Sequence, residues 1–125
     1  MGLFVYGAGS AVSLKDSLIS DVGTSTTLAG TGVVGMAGTL TQLSATDVRH
    51  SAIGLAFDGA SAGVEGGVVS DNSIAVNAQG GSTLEVLDLL PATLGTSQVV
   101  FSQATRFERN ETQVGSGTVP LPSPF

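Results

Sequence analysis

The chain has 125 residues, of which 42% are hydrophobic and 11% charged, and it contains 18 glycines and no cysteine. High hydrophobicity with low charge excludes a disordered chain, and the lack of cysteine excludes a disulfide scaffold and a cysteine-ligated zinc module. Four Lys and Arg against ten Asp and Glu give a net charge of −6, which disfavours nucleic acid as a partner. A chain of this length is large enough for one domain with its own core and too short for two. No stretch reaches the roughly 20 apolar residues of a membrane span, so we expect none.

The first predicted elements lie in segment 2–21, whose pattern returns in segment 53–72. Both contain an early Gly-Leu pair, a glycine after a short alternating stretch, and a branched aliphatic residue followed by Ser-Asp. Hydrophobic residues alternate with small or polar residues throughout both segments. A period of two predicts short strands rather than helices, and the glycines and Ser-Asp pairs mark the corners between them.

Three further segments continue this pattern along the chain. Segment 38–50 matches its second half, segment 81–90 repeats its opening, and segment 104–110 aligns with 45–51. Pro91 follows the fourth unit and favours a strand with an irregular exit over a helix there. The unit is therefore predicted to recur with an interruption after its fourth copy.

The spacing between equivalent residues predicts which side chains stack. Two offsets are 21 and 22 residues, and the first is 29, which indicates an insertion at 24–30. A unit of this length with three strands is typical of one turn of a solenoid, whose stacked turns share a core. The two predicted columns are Leu14, Leu43, Val64 and Val86, and Ile19, Val48 and Val69.

The units resemble those of right-handed parallel β-helix proteins with the pectin-lyase-like architecture, and more narrowly the glycine-rich β-helix repeat proteins of bacterial envelopes and secreted fractions. The resemblance covers roughly residues 2–114. It implies an all-β solenoid of about four to five turns, spanning 1–114, in an extracellular or cell-surface protein. We expect this chain to be a fragment, incomplete at its N-terminus, with open ends covered by neighbouring turns of the parent chain or by a partner.

The last segment, 115–125, has a different composition. Pro120, Pro122 and Pro124 alternate with other residues, and each proline lacks the N–H that a strand ladder requires. This composition favours polyproline II structure. We interpret the segment as a Pro-rich tail or linker.

The ligand-site candidates are three residues that recur at the predicted Ser-Asp corner, Asp21, His50 and Asp71, with Arg109 near the same place in the last unit. Two carboxylates beside an imidazole have the chemistry to hold a divalent cation or to transfer protons. Polar residues at a solvated corner also form turn hydrogen bonds, and we adopt that interpretation. We assign no catalytic residue, cofactor or metal.

These observations favour a non-enzymatic role. We expect a structural or adhesive segment whose partner is a polysaccharide or another cell-surface component. A second possibility, implied by the resemblance, is a polysaccharide lyase or hydrolase, or a carbohydrate-binding module, of the pectin-lyase-like type. Phe4 and Tyr6 are expected to point outward and to offer a small aromatic platform for a sugar.

Overall fold

The computed structural model describes residues 2–21, 30–115, 117 and 121. Throughout this part the protein is all-β, and its strands pair in parallel in three sheets. The same residues include no helix with the length and apolarity needed to cross a membrane. The predicted all-strand class is therefore confirmed for the described chain.

The strands are short and rich in Val, Ile, Leu and Thr, residues that pack well on a pleated surface. In chain order they are β1 (Leu3–Val5), β2 (Ala11–Lys15), β3 (Leu18–Ser20), β4 (Thr31–Gly35), β5 (Leu40–Ser44), β6 (Asp47–Arg49), β7 (Ile53–Asp58), β8 (Ser61–Glu65), β9 (Val68–Ser70), β10 (Ile74–Gln79), β11 (Thr83–Leu87), β12 (Gln98–Ser102), β13 (Arg106–Glu108) and β14 (Thr112–Val114). Sheet A has the order β1-β4-β7-β10-β14, sheet B the order β2-β5-β8-β12-β11, and sheet C the order β3-β6-β9-β13. From β1 to β9, three consecutive strands, one in each sheet, make one circuit of the chain.

The predicted aliphatic neighbours lie side by side on adjacent strands. In sheet B, Leu14 pairs with Leu43, and Leu43 pairs with Val64. In sheet C, Val48 lies between Ile19 and Val69 in the same way. These columns join one core with the inward residues of sheet A, and its largest fully buried side chains are Phe57 and Phe101.

One predicted neighbour is wrong. Val86 does not lie beside Val64, because Phe101 pairs with Val64 and Val86 pairs with Phe101 on the far side. The chain leaves β10, forms β11 at the edge of sheet B, and returns through residues 88–97 to place β12 between β8 and β11. Val86 thus ends the column and is 57% exposed.

The irregular exit predicted after the fourth unit is present, since no strand forms between Leu87 and Gln98. Two other predicted segments fall mainly where the structure gives no description. Of the insertion at 24–30 only Gly30 is described, and of the tail at 115–125 only Gly115, Gly117 and Leu121 are described.

The corner between sheets C and A has the same backbone conformation in four circuits. Asp21, His50, Asp71 and Arg109 have φ values of 57°, 57°, 56° and 54°. This left-handed conformation costs a non-glycine residue about 1–2 kcal/mol. His50 therefore occupies the same corner as Asp21 and Asp71, although the insertion predicted at 24–30 lies between Asp21 and His50 in the sequence.

Side-chain amides link the residues that follow this corner. The N–H of Ser51 donates to Oδ1 of Asn72 (3.0 Å), and the N–H of Asn72 donates to Oδ1 of Asn110 (3.1 Å). Asn110 Nδ2 donates in turn to the carbonyl of Val69 (2.9 Å). These bonds satisfy backbone donors where the chain leaves the sheet ladder, and so offset the conformational cost of the corner.

Candidate functional site

The described chain carries an open groove on the outer face of sheet B, which we call the sheet B groove. It has a volume of about 620 Å³, within the range of small-molecule sites. Its floor comes from β2, β5, β8 and the corners before them, and its wall is the segment 90–97. The floor residues are Gly9, Ser10, Ala11, Gly38, Thr39, Leu40, Gln42, Gly59, Ser61 and Gly63.

The alternation of sheet B creates the groove. Thr41 and Leu43 of β5 point into the core and are buried, so Gln42 between them faces outward and is exposed. Its neighbour on β8 is Gly63, which has no side chain to fill the space above the strand. A Cβ at Gly63 would lie 3.3 Å from Cδ1 of Leu90. The small floor thus lets the wall segment lie close to the sheet.

Hydrogen bonds hold the wall in place. Ser61 Oγ on β8 donates to the carbonyl of Gly95 (2.9 Å), and the N–H of Gly95 donates to Oε1 of Gln98 (2.7 Å). Ser97 Oγ also donates to the carbonyl of Gly59 (3.1 Å). The wall is therefore anchored both to the floor and to the strand that follows it, which preorganises the groove.

The groove offers hydrogen-bonding and apolar surface but no titratable group among the described residues that line it. Ser13 Oγ donates to Oε1 of Gln42 (3.1 Å), which leaves the Nε2 group of Gln42 as a donor at the open floor. Leu40, Leu90 and Leu94 supply apolar contact, and serine and threonine hydroxyls lie around them. Such a surface can bind a neutral ligand, but it has no side chain suited to general acid–base catalysis at neutral pH.

The corner residues predicted from the sequence occupy equivalent positions in successive circuits, away from the sheet B groove. Ser20 Oγ donates to Oδ2 of Asp21 (2.6 Å). Arg109 donates from Nε and Nη2 to the two carboxylate oxygens of Asp71, at 2.9 and 3.0 Å. The described residues contain no group of three or more His, Cys, Asp or Glu side chains placed to hold a metal ion. The ligand role of Asp21, His50 and Asp71 stays a prediction.

The ion pair between Asp71 and Arg109 makes the stability of this corner depend on pH. The hydrogen bonds from Arg109 are the main cause that lowers the pKa of Asp71 from its ordinary value of 3.8. The folded state therefore binds fewer protons than the unfolded state around that pH. The ion pair stabilises the fold above pH 3.8, and this stabilisation is lost as the pH falls through the lowered pKa.

We expect Asp71→Asn to lower the melting temperature at neutral pH, and the deficit to shrink as the pH is taken below 3.8. Thermal melts of both proteins across the acid range measure the difference. In an Arg109→Ala background the same substitution should show no such pH dependence. A deficit in wild-type background that stays constant through the acid range would contradict the assignment.

No protein-family model, curated protein or solved structure matches this chain. The groove and the corner are therefore interpreted from their own chemistry. The sequence predicted an irregular exit at Pro91 but not the groove whose wall the segment 90–97 forms.

The aromatic pair predicted at the start of the chain lies elsewhere on the surface. The ring centroids of Phe4 and Tyr6 are 5.3 Å apart and the rings are tilted by 39°. Val5 between them is buried, and Tyr6 is 45% exposed. The pair belongs to sheet A and its first corner, so it does not contribute to the sheet B groove.

Proposed function

We propose that the chain is a non-enzymatic adhesive segment of a secreted or cell-surface bacterial protein, and that it binds an uncharged polysaccharide in the sheet B groove. The observation that carries this proposal is the uncharged lining of an open, preorganised groove. Hydroxyl and amide groups exchange hydrogen bonds with sugar hydroxyls, and the leucines cover the apolar faces of the ring. The secreted or surface location depends on the resemblance to bacterial β-helix repeat proteins.

The fold proposed for this function is a right-handed parallel β-helix of the pectin-lyase-like type. It is supported by the passage of the chain through sheets A, B and C in each of the circuits β1–β3, β4–β6 and β7–β9, and by the parallel pairing of these strands. Connections between parallel strands of one sheet are right-handed in about 98% of cases, which favours this hand. Adjacent strands lie about 4.8 Å apart, so the three floor strands span about 10 Å, enough for a short oligosaccharide.

The polysaccharide is proposed to be neutral rather than acidic. The groove lining has no described cation to pair with a uronate carboxylate, and the whole chain has a net charge of −6. Burying an unpaired carboxylate is costly, so an acidic sugar would be rejected.

Calorimetric titration with neutral and with uronate oligosaccharides tests the proposal. We expect the neutral series to bind and the uronate series to fail. We expect Gln42→Ala to weaken binding about five- to tenfold, since it removes one hydrogen bond of roughly 1 kcal/mol. Gln113 lies on β14, is exposed and is outside the groove, so Gln113→Ala should leave affinity unchanged.

Three outcomes would contradict the proposal. The first is a failure of every neutral oligosaccharide to bind, and the second is an equal loss of affinity in the two glutamine variants. The third is the release of shortened or unsaturated sugars during the titration, which would favour a polysaccharide lyase or hydrolase instead.

A further inference from the structure

The two ends of the core present the same columns of side chains. In sheet A one column begins at Leu3 and ends at Val114, through Val33, Leu55 and Val76. The sheet B column begins at Leu14 and ends at Val86. Val86 and Val114 are 57% and 48% exposed, whereas the residues in the middle of these columns are at most 2% exposed. Apolar side chains on the core side of β11 and β14 are thus not covered by a further strand at that end.

The edge strands at the two ends also match. In sheet A, β1 and β14 each have three residues, and in sheet B, β2 and β11 each have five. Among the described residues these four strands are the edges of sheets A and B. An edge strand presents unpaired N–H and C=O groups to any strand that can align with it.

We propose that a second copy of this chain stacks head-to-tail on the first, with its β1 on β14 and its β2 on β11. Continuing each column by one level places Leu3 of the second copy over Val114 and Leu14 over Val86. Every strand pair in the described part of the chain is parallel, and a translation along the stack keeps the new pairs parallel too. The edge strands of a second copy therefore match β14 and β11 in length and direction, and their apolar residues continue the same columns.

The charges of the two ends bear on the register. In this alignment Lys15 of the second copy lies over Leu87, between the acidic positions Glu85 and Asp88 of the first. The opposite charges attract, which favours head-to-tail over head-to-head stacking. Asp16 lies over Asp88 in the same register, and the positive charge of Lys15, next to Asp16 in the chain, reduces the repulsion between the two carboxylates.

Sheet C does not join the contact. It has four strands where sheets A and B have five, so β13 of one copy and β3 of the next are separated by one missing strand. Two strand spacings amount to about 9.6 Å, too far for a hydrogen-bonded ladder. The interface is thus carried by sheets A and B alone. Because the two contacting surfaces differ, the stack does not close and extends into rods.

Two variants block opposite ends of the chain. The carbonyl of Ser10 and the N–H of Asp16 point to β5, so alternation along β2 places the N–H of Ser13 at the free edge. Ser13→Pro removes this donor without breaking the ladder to β5. Val86→Lys places a charge on the exposed end of the sheet B column, where Leu14 of the next copy would pack.

Sedimentation and light scattering over a range of concentrations test the contact. The wild-type chain, of 12.4 kDa, should grow steadily in mass with concentration. Each variant alone should remain a monomer, because one of its two contacting ends is blocked. A mixture of the two should form a 1:1 dimer and stop there, since only the unblocked C-terminal end of Ser13→Pro and the unblocked N-terminal end of Val86→Lys can meet.

Asp21→Lys is the matched control, because it reverses a charge at the same end of the molecule but in the corner after sheet C. It should associate like the wild type. Circular dichroism confirms that each variant is folded. A wild-type chain that stays monomeric at all concentrations, or variants whose mixture gives no dimer, would overturn the proposal.

Discussion

Val64→Asp is expected to destabilise the protein by about 4 kcal/mol or more, the cost of a buried charge without a partner. Val64 is 2% exposed and lies between Leu43 and Phe101 in the sheet B column. Its side chain points into the core, where no described cation is placed to pair with a new carboxylate. Urea unfolding followed by circular dichroism measures the loss.

Val86→Asp is the control for this change, because it introduces the same carboxylate at the exposed end of the same column. Since Val86 is 57% exposed, the charge keeps its water, and we expect a loss below about 1 kcal/mol. Equal losses in the two variants would mean that the column is wrongly assigned.

Gly67→Ala should be the second severe substitution, with a loss of about 3 kcal/mol or more. Gly67 has a φ of 77°, which an L-residue adopts only with strain. A Cβ there would also overlap the carbonyl oxygen of Thr46 in the neighbouring circuit. Thr46 and Gly67 lie at the corners directly before β6 and β9, so their backbone atoms cannot move apart without disturbing the pairing of those two strands, and the fold must distort or open.

Gly81→Ala separates the conformational strain of a positive φ from the steric overlap of the new Cβ. Gly81 has a φ of 89°, yet a Cβ there would meet no atom within 4 Å. It should therefore cost only the conformational strain, about 1 kcal/mol. If thermal melts give the same loss for both glycines, close packing between circuits is not what constrains Gly67.

The strand class and most of the register could be predicted from the sequence. A period of two leaves each side chain only two faces to choose from, and an offset of 21 residues between Leu43 and Val64 then fixes which residues are neighbours. The same recurrence located the corner, because Asp21 and Asp71 each follow a serine at the end of a strand.

The sequence could not predict that β12 rather than β11 lies beside β8. Apolar and other residues alternate in both strands, so either one could occupy that position on the local pattern alone. The choice depends on contacts distant in sequence. Phe101 is 1% exposed and its ring stacks edge-on against Phe107 at 5.2 Å, a contact that Val86 is too small to make. Burial of the larger side chain therefore favours β12 beside β8.

The candidate site was predictable only in part. The corner residues could be placed because they recur, but the Arg109–Asp71 pair depends on which strands become adjacent at the last level. The sheet B groove has a wall, 90–97, that shows no strand period, and a floor of residues without charge. Such residues carry no chemical pattern that a single sequence can reveal.

The position of β11 has a consequence for anyone who wishes to lengthen this protein. A polypeptide that followed its established route beyond β14 would next need the place in sheet B that β11 already fills. An additional strand inserted after Val114 would have to displace β11 from the edge of sheet B. Duplicating the block β7–β9 in the interior avoids the conflict, because each copy then finds the same neighbours above and below.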